Sequence, residues 1–533
     1  MSNTTFKTNV TVKSRYICLE DNSQSLELEI HSDSCINTII MPRSEVFNIS
    51  DTLYNYGAII TSAKDFKAEI IKQEKCAPVK YIHSSLGWDE YNGKRIFKAY
   101  STVGCEYEST YNGTFDIKPK GSFEKWRAVI KKYALPQIAL QLSVVMGLTP
   151  VTIGFLQDKV ENTLLAHIAG ESSSGKTTFG LLALSTSGNP NPSAKNTMFC
   201  DWGDTQNYLT SVLEENYGYP VVFDELSKAQ SKDLSDFVYN ITNSKGKGRL
   251  NSYAEAKPVS SWNTVVISTG ENSLLSQCNH NSGLLVRVLE LSPDEITANA
   301  EQAEKLKNGI IKNYGWANNI LAEFYLQNPK RISNVFTKYR KLLEDEIPIK
   351  NLLVNRLIKK LAAIMTTAYF AKRALDIKFN TKAIKNMLIE AVVRQNEDNP
   401  FEQTKQLVDC ILTDLSINPN KYFDLKSSEP LDDIYGSNIR GFIRKIKPFS
   451  IGTEQCSVEL IFPTEIFSKL LFEFGFTNSH KELRALDREG FLKKEGSHYS
   501  VRRKIAGNKI PVYVLTLPES LLSNNLKNTI TEE

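Results

Sequence analysis

The stretch Ile168–Thr178, IAGESSSGKTT, decides how the rest of the chain is read. It places Gly170, Gly175, Lys176 and Thr177 in the order G-x-x-x-x-G-K-T. The segment before it, NTLLAHIAG, is apolar enough for a strand, and KTTFGLLALS after it has the composition of a helix. A strand-loop-helix passage of this kind is built for phosphate. Successive backbone N–H groups of Glu171, Ser172, Ser173, Ser174 and Gly175 can turn inward. The glycines permit the backbone angles, and the new helix offers its positive end. Lys176 is then within reach of the β- and γ-phosphates. Thr177 offers a hydroxyl to Mg²⁺, and Thr178 closes the first helical turn. The spacing predicts a nucleotide site over Gly170–Thr178.

Two later segments complete such a site. YPVVFDELS is an apolar strand ending in Asp224 and Glu225. Asp224 is expected to hold the Mg²⁺ shell, and Glu225 to polarise an attacking water, which a mere nucleotide binder does not need. WNTVVISTGE, from Trp262, reads as a further strand of the same parallel sheet. Its carboxyl end should reach the same crevice, where Ser268 or Thr269 could sense the γ-phosphate.

The bulk numbers set the frame. The chain has 533 residues, which calls for several domains, and is 41% hydrophobic and 23% charged, as soluble globular proteins are. Its net charge of +4 does not by itself announce a nucleic-acid partner. The 8 cysteines are scattered without a C-x-x-C pair, and Cys278 and His280 have no second ligand pair nearby, so reduced thiols without structural zinc are expected. The polar start MSNTTFKTNV lacks the apolar core of a signal peptide, which implies a cytoplasmic protein. LPQIALQLSVVMGLTPVTIGFL, from Leu135, is broken by Pro136, Gln141, Gly147 and Pro150, and reads as a buried helix and turn rather than a membrane span.

The expected organisation is an α/β phosphate-loop core, a parallel sheet with helices, flanked by other domains. Residues 1–115 read as a β-rich region with strands in LELEI, TIIMP, AIITS and RIFKAY, and Trp88 there reads as a core aromatic. Residues 116–161 form a helical connector, 162–293 the core and 294–400 a helical lid. The charged stretch RQNEDNPFEQ, from Arg394, is a hinge into a last domain over 401–533.

Several nucleotide-binding classes drop out. There is no N-K-x-D guanine-reading motif and no L-S-G-G-Q transporter motif, and a small-molecule kinase would lack the flanking domains. The run GESSSGKTT, VVFDELS, KGKGRL, SSWNTVVISTGE, SGLLVRVLEL resembles the replicative helicases of phages, pathogenicity islands and staphylococcal cassette elements. These in turn look like distant relatives of the minichromosome-maintenance helicases of the AAA+ class. The likeness covers roughly Gly87 to Leu375.

That resemblance implies an ATP-driven DNA helicase. It also implies further residues. In the family an arginine finger lies in a loop ending LLSRF; here LLVRV puts Arg287 at that place. Such a finger acts on a neighbouring subunit's ATP and so implies a homo-oligomeric ring, a hexamer. A hairpin before the third strand points basic residues into the ring channel. KGKGRLNSYAEAKPVSSW has that form, with Lys245, Lys247, Arg249 and Lys257 as DNA contacts. VNRLIKKLAA resembles the helix carrying a second ATP-sensing arginine, which is Arg356 here. The family's sensor asparagine is replaced by Gly270.

At the C-terminal end, an amphipathic helix from Phe462, a second helical pattern in TNSHKELRALDREGFL, and strands HYSVRRKI and IPVYVLTL joined by AGNK give the winged-helix order. Between Lys481 and Pro511 nine Lys/Arg stand against four Asp/Glu, a balance of +5 that exceeds the +4 of the whole chain. That concentration suits duplex phosphate, and strand alternation selects Arg502 and Lys504 as contacts, with Arg503 facing inward. The reading is therefore a helicase on single- and double-stranded DNA in replication of a mobile element, with partners from element or host. The competing reading is an origin-binding initiator that uses ATP only as an assembly switch; a third is a packaging or defence ATPase.

Overall fold

The computed structural model describes residues 8–32, 35–231, 234–248, 259–278, 284, 287–293, 295–349, 354–397, 400–424, 439–446, 457–476, 479–496, 498–505 and 508–518. The chain divides near Val393 into two compact units.

The first unit opens with strands Val10–Cys18 (β1), Gln24–His31 (β2) and Ile36–Pro42 (β3). Three helices follow, Arg43–Phe47 (α1), Asp51–Asn55 (α2) and Ala63–Cys76 (α3). The next strands are Val79–His83 (β4), Leu86–Tyr91 (β5), Lys94–Lys98 (β6) and Ser109–Tyr111 (β7). One sheet has the order β3-β2-β1-β4-β7.

The expected β-rich region is thus mixed. AIITS is irregular backbone, and its Ser62 instead caps α3 by accepting a hydrogen bond from the Asp65 N–H. Phe66 and Ile70, one helical turn apart, bury against Leu26, Leu28 and Ile30 of the sheet. This helix-period pair was the available signal, and the apolar run before it drew the strand reading.

Residues 86–99 lie on the far side of the expected boundary at 115. Leu86, Trp88, Phe97 and Ala99 belong to the core cluster of the parallel sheet that follows. Trp88 is a core aromatic, as expected, and its Nε1–H donates to the Val151 carbonyl at 2.7 Å. The connector contains Phe123–Val129 (α4) and Ile138–Phe155 (α5). α5 is long and apolar enough to cross a membrane by composition, yet 94% of it is buried inside the protein. It forms the centre of the main core, which explains its apolar character on every face.

That core surrounds a parallel sheet of Leu164–Ala169 (β8), Phe199–Asp201 (β9), Val221–Asp224 (β11), Val265–Gly270 (β12) and Val288–Leu291 (β13). The two-residue strand Asn216–Tyr217 (β10) pairs with β5 instead. The sheet order is β13-β8-β12-β11-β9, all parallel. Non-consecutive neighbours require crossovers, supplied by helices Lys176–Leu184 (α6), Gln206–Leu213 (α7) and Ser235–Asn243 (α8). This is the expected α/β core. Helices Ala300–Lys312, Ala317–Gln327, Pro329–Glu346, Val354–Ala374 and Thr381–Glu397 complete the unit.

The second unit has helix Pro400–Ile417 and strands Tyr422–Asp424 (β14), Gly441–Ile446 (β15) and Ser457–Pro463 (β16). Helices Thr464–Glu473 and Ser479–Arg488 follow. Leu492–Lys493 (β17), Val501–Ile505 (β18) and Asn508–Pro518 (β19) end it. β16 pairs with β19, a long-range partner that sequence alone did not supply. The helix-helix-hairpin order read from the sequence is present, and Asn508 and Lys509 of AGNK already lie in β19. Val501 and Ile505 are buried while Arg502 and Lys504 are exposed, so the expected alternation holds.

Candidate functional site

The carboxyl end of the parallel sheet gathers the residues expected of a phosphate loop. α6 starts at Lys176, with Gly175 as its cap at φ 98°, a conformation that only glycine adopts without strain. A Cβ there would also press on Thr297, 3.0 Å from its Oγ1. Gly180 lets α6 lie close on β11, since a Cβ would come within 2.8 Å of Val222. The loop is thereby held where β8 ends. Lys176 Nζ donates to the Gly170 and Glu171 carbonyls, at 2.9 and 2.6 Å. Ser174 Oγ is buried with no hydrogen-bond partner. A concave loop with an orphaned hydroxyl and a lysine folded over it fits a bound anion.

β11 delivers Asp224 beside that loop. Its carboxylate accepts from Thr177 Oγ1 at 3.2 Å and from Thr269 Oγ1 at 2.5 Å. Burial raises the Asp224 carboxyl above the usual carboxylate range. The two threonine hydrogen bonds oppose that rise, and the Glu225 and Asp201 charges add to it. A divalent cation would relieve this concentration of negative charge, so Thr177 and Asp224 fit a Mg²⁺ shell.

Glu225 follows at φ 64° and ψ 67°, a left-handed conformation that costs a non-glycine residue roughly 1–2 kcal/mol. Strain of this kind collects at functional sites. Its N–H donates to Thr269 Oγ1 at 3.1 Å, and its Oε1 accepts from Ser227 Oγ at 2.9 Å. Thr269 therefore bridges both acidic residues.

Ser268 faces the other way. It bonds His167 Nδ1 at 2.8 Å and accepts from Trp202 Nε1 at 2.9 Å, deep in the core. Of the two hydroxyls named from the sequence, only Thr269 reaches the site. Burial, with the Lys176 charge nearby, pushes the His167 imidazole down to about 4. It stays neutral and serves as a strut.

Gly270 also gains a physical account. A Cβ there would lie 2.7 Å from the Leu226 Cβ, so a larger residue would displace the turn that carries Glu225.

Other predicted residues lie elsewhere. Arg287 immediately precedes β13, whose Val288 is level with Leu165 near the amino end of β8. Its guanidinium sits over the Tyr239 ring at 4.9 Å. Lys360 donates to the Thr163 carbonyl at 2.6 Å, at the same end, and feels the charges of both Arg287 and Arg356. A six-residue strand at about 3.3 Å per residue puts this cluster roughly 20 Å from the phosphate loop of the same chain. The structure thus sets Arg287 and Arg356 in the field of the same buried lysine, toward the end of the sheet opposite Lys176, Thr177 and Asp224.

Lys245 and Lys247 are exposed at the foot of the expected hairpin, where Lys245 bridges antiparallel to Ser261. Arg249 and Lys257 lie outside the described residues. The sequence reading missed Asp201, whose position beside Asp224 comes from strand pairing. Its own segment, FCDWGD, gave no sign of that neighbour.

Residues 1–261 match a family described as a domain of unknown function, DUF927. No curated protein matches the chain. A solved structure described as SCCmec type IV Cch, an active helicase, aligns with a TM-score of 0.66 and 22% identity, covering 98% of this chain and 94% of that one. The likeness is one of fold. The A-form apo structure of the NrS-1 C-terminal region covers 70% of this chain and 91% of its own, at 10% identity and a TM-score of 0.25, too low to support an argument.

Proposed function

We propose that this chain is an ATP-dependent DNA helicase, a ring-forming AAA+ motor of the minichromosome-maintenance type that replicates a mobile genetic element in the cytoplasm. The carrying observation is Asp224, hydrogen-bonded to both Thr177 and Thr269, with the strained Glu225 next to it at the end of a parallel sheet. The fold shared with a protein described as an active helicase supports the reading.

ATP is bound by the backbone of Gly170–Thr178 and by the Lys176 ammonium, in a loop whose Ser174 hydroxyl is buried without a partner. Mg²⁺, held by Thr177 and Asp224, would neutralise phosphate charge. Glu225 accepts a proton from the attacking water, and Thr269 fixes it through the backbone N–H. Arg287 stabilises the charge developing on a neighbouring subunit's phosphates, because its own loop is too far away. That requires a homo-oligomeric ring, a hexamer in this reading.

Residues 162–293 are then the ATPase core, with 116–161 as connector, 294–400 as lid and 1–115 as the N-terminal region. Lys245, Lys247, Arg249 and Lys257 contact the strand in the channel. Residues 401–533 form a winged helix whose exposed Arg502 and Lys504 hold duplex phosphates.

The test is strand displacement on forked DNA, with overhangs of either polarity. ATP should drive separation by the wild-type chain, and Glu225→Gln should bind the fork without opening it. Hydrolysis-independent DNA binding with no displacement by the wild type would instead favour an initiator that uses ATP as a switch.

A further inference from the structure

The turn that carries Glu225 is laced to the neighbouring strand by groups the proposed chemistry does not use. After Glu225 the chain forms a short 3-10 turn, Leu226–Lys228. Lys228 Nζ reaches back across it to Asp201 Oδ2 at 2.6 Å. Asp201 is the last residue of β9 and lies in register with Asp224. Its other oxygen is also engaged, since Oδ1 accepts from the Gly203 N–H at 2.8 Å. Two more hydrogen bonds join the same two turns. Gln230 Nε2 donates to the Gly203 carbonyl at 3.1 Å, and the Trp202 N–H donates to the Asp224 carbonyl at 2.9 Å. On the opposite side the turn is held by the Glu225 N–H on Thr269 and by Leu226 packed against Gly270.

β9 is a short strand at the edge of the sheet, with no strand paired on its outer side among the described residues. An edge of that length holds a neighbouring turn weakly through its ladder alone. The side-chain pair supplies what the ladder lacks. Lys228 also stands in the field of Asp201, Glu225 and Asp224, which holds its ammonium above the usual lysine range. Losing the tether frees a turn that is already strained at Glu225.

We infer that Asp201 and Lys228 are positioning residues for hydrolysis: their ion pair latches the turn after Glu225 to the end of β9 and so fixes where the Glu225 carboxylate points. The inference rests on the proposed role of Glu225 as the group that acts on water. The pair is partly exposed, at 38% for Asp201 and 58% for Lys228, so it contributes little to global stability. Its effect is geometric. Small displacements of a catalytic group have large kinetic effects, and a tenfold loss is an order-of-magnitude expectation for a loosened but present Glu225.

The experiment is steady-state ATPase with full-length Asp201→Asn, Lys228→Met, Lys228→Arg and the reversed pair Asp201→Lys/Lys228→Asp. Each single neutral variant should lose roughly tenfold in kcat with KM for ATP within about twofold of wild type. Lys228→Arg should keep kcat within about twofold, because the pair can re-form. The reversed pair should recover part of what the single variants lose, since it restores the ion pair but not the acceptor for the Gly203 N–H. Melting temperatures should stay close to wild type, which separates a loosened turn from a damaged fold. The latch is overturned if either neutral variant keeps wild-type kcat, if the loss falls on KM, or if the reversed pair is no better than the single neutral variants. Glu225→Gln in the native background is the control for the reading beneath it. Wild-type turnover in Glu225→Gln defeats the hydrolytic assignment itself. Loss of turnover in Glu225→Gln, with wild-type turnover in Asp201→Asn and Lys228→Met, defeats the latch alone.

Discussion

The two ends of the parallel sheet carry opposite chemistry. At the carboxyl end, Asp201, Asp224 and Glu225 stand with two threonine hydroxyls beside the phosphate loop. At the amino end, Arg287 lies over the Tyr239 ring, and Lys360, bonded to the Thr163 carbonyl, feels the charges of Arg287 and Arg356. The acidic end has the chemistry to fit a cation, beside a loop that fits an anion. In one chain the two ends lie about 20 Å apart, the length of a six-residue strand. Head-to-tail stacking of copies would bring one copy's basic end to the next copy's phosphates, which is the geometric content of the proposed ring.

The largest expected effect breaks that comparison directly. Arg287→Ala should leave ATP binding nearly intact and lower turnover by about a thousandfold, the scale of a lost arginine finger. Mixing decides whether it acts across an interface. Arg287→Ala and Glu225→Gln chains, each inactive alone, should regain ATPase activity when their subunits exchange, because some interfaces then pair an intact Glu225 with an intact Arg287. No recovery despite demonstrated exchange would mean that the two ends do not meet. Glu225→Gln by itself should cost about a hundredfold or more in turnover while ATP binding survives. Lys176→Ala should weaken binding as well. Turnover of Glu225→Gln within a few-fold of wild type would remove Glu225 from the chemistry.

The carboxyl end was legible in the sequence because its parts are local. GESSSGKTT, VVFDEL and VVISTG each announce a strand end with its functional residues attached, and a parallel sheet brings strand ends together. What could not be read was sideways neighbourhood. Asp201 comes to Asp224 only through the pairing of β9 with β11, and a lone aspartate in FCDWGD carries no sign of its partner. Gly270 looked like a missing sensor. The structure shows a packing demand, with Leu226 filling the space a side chain would need and Thr269 carrying the hydroxyl one position earlier. The basic end was half legible. Arg287 and Arg356 came from resemblance, but Lys360 stayed hidden, since a buried lysine and a solvated one look alike in sequence. In the N-terminal region AIITS, apolar and β-branched, masked the cap of α3.

A smaller effect extends the comparison to the second unit, whose hairpin also carries exposed cations. Arg502 and Lys504 face solvent on β18, and Lys504 lies opposite Lys509 on β19, an unfavourable cross-strand pair unless an anion joins them. Replacing Arg502 and Lys504 by alanine should weaken duplex binding by about tenfold at moderate salt. It should also flatten the slope of log affinity against log salt by about two units. Basal ATPase without DNA should not change. An unaltered salt slope in a folded double variant would assign this hairpin to a protein partner.

The smallest effect is thermal and tests why the amino end is poised. Lys98 and Lys360 are both almost fully buried, at 1% and 3% exposure, yet they titrate in opposite directions. Lys98 pairs with Glu20 and Asp89, which hold its ammonium above the usual range despite burial. Lys360 has the Thr163 carbonyl and two neighbouring arginines, and burial, reinforced by Arg287 and Arg356, pushes it down to about 7. Below pH 7 the folded and unfolded chains both carry this proton, and the fold bears an unfavourable buried charge. Between pH 7 and the ordinary lysine value of 10.5 the unfolded chain binds the proton and the folded chain does not, so stability rises with pH. Lys360→Met removes the titration. The melting temperature of the variant minus that of wild type should therefore fall as pH rises from about 6.5 to 9, by roughly 3 °C for a unit of this size. Lys98→Met should show no such fall, because its proton is held by carboxylates through the whole window. A difference for Lys360→Met that is flat with pH would mean that its ammonium stays charged, with an anionic partner at the amino end of the sheet.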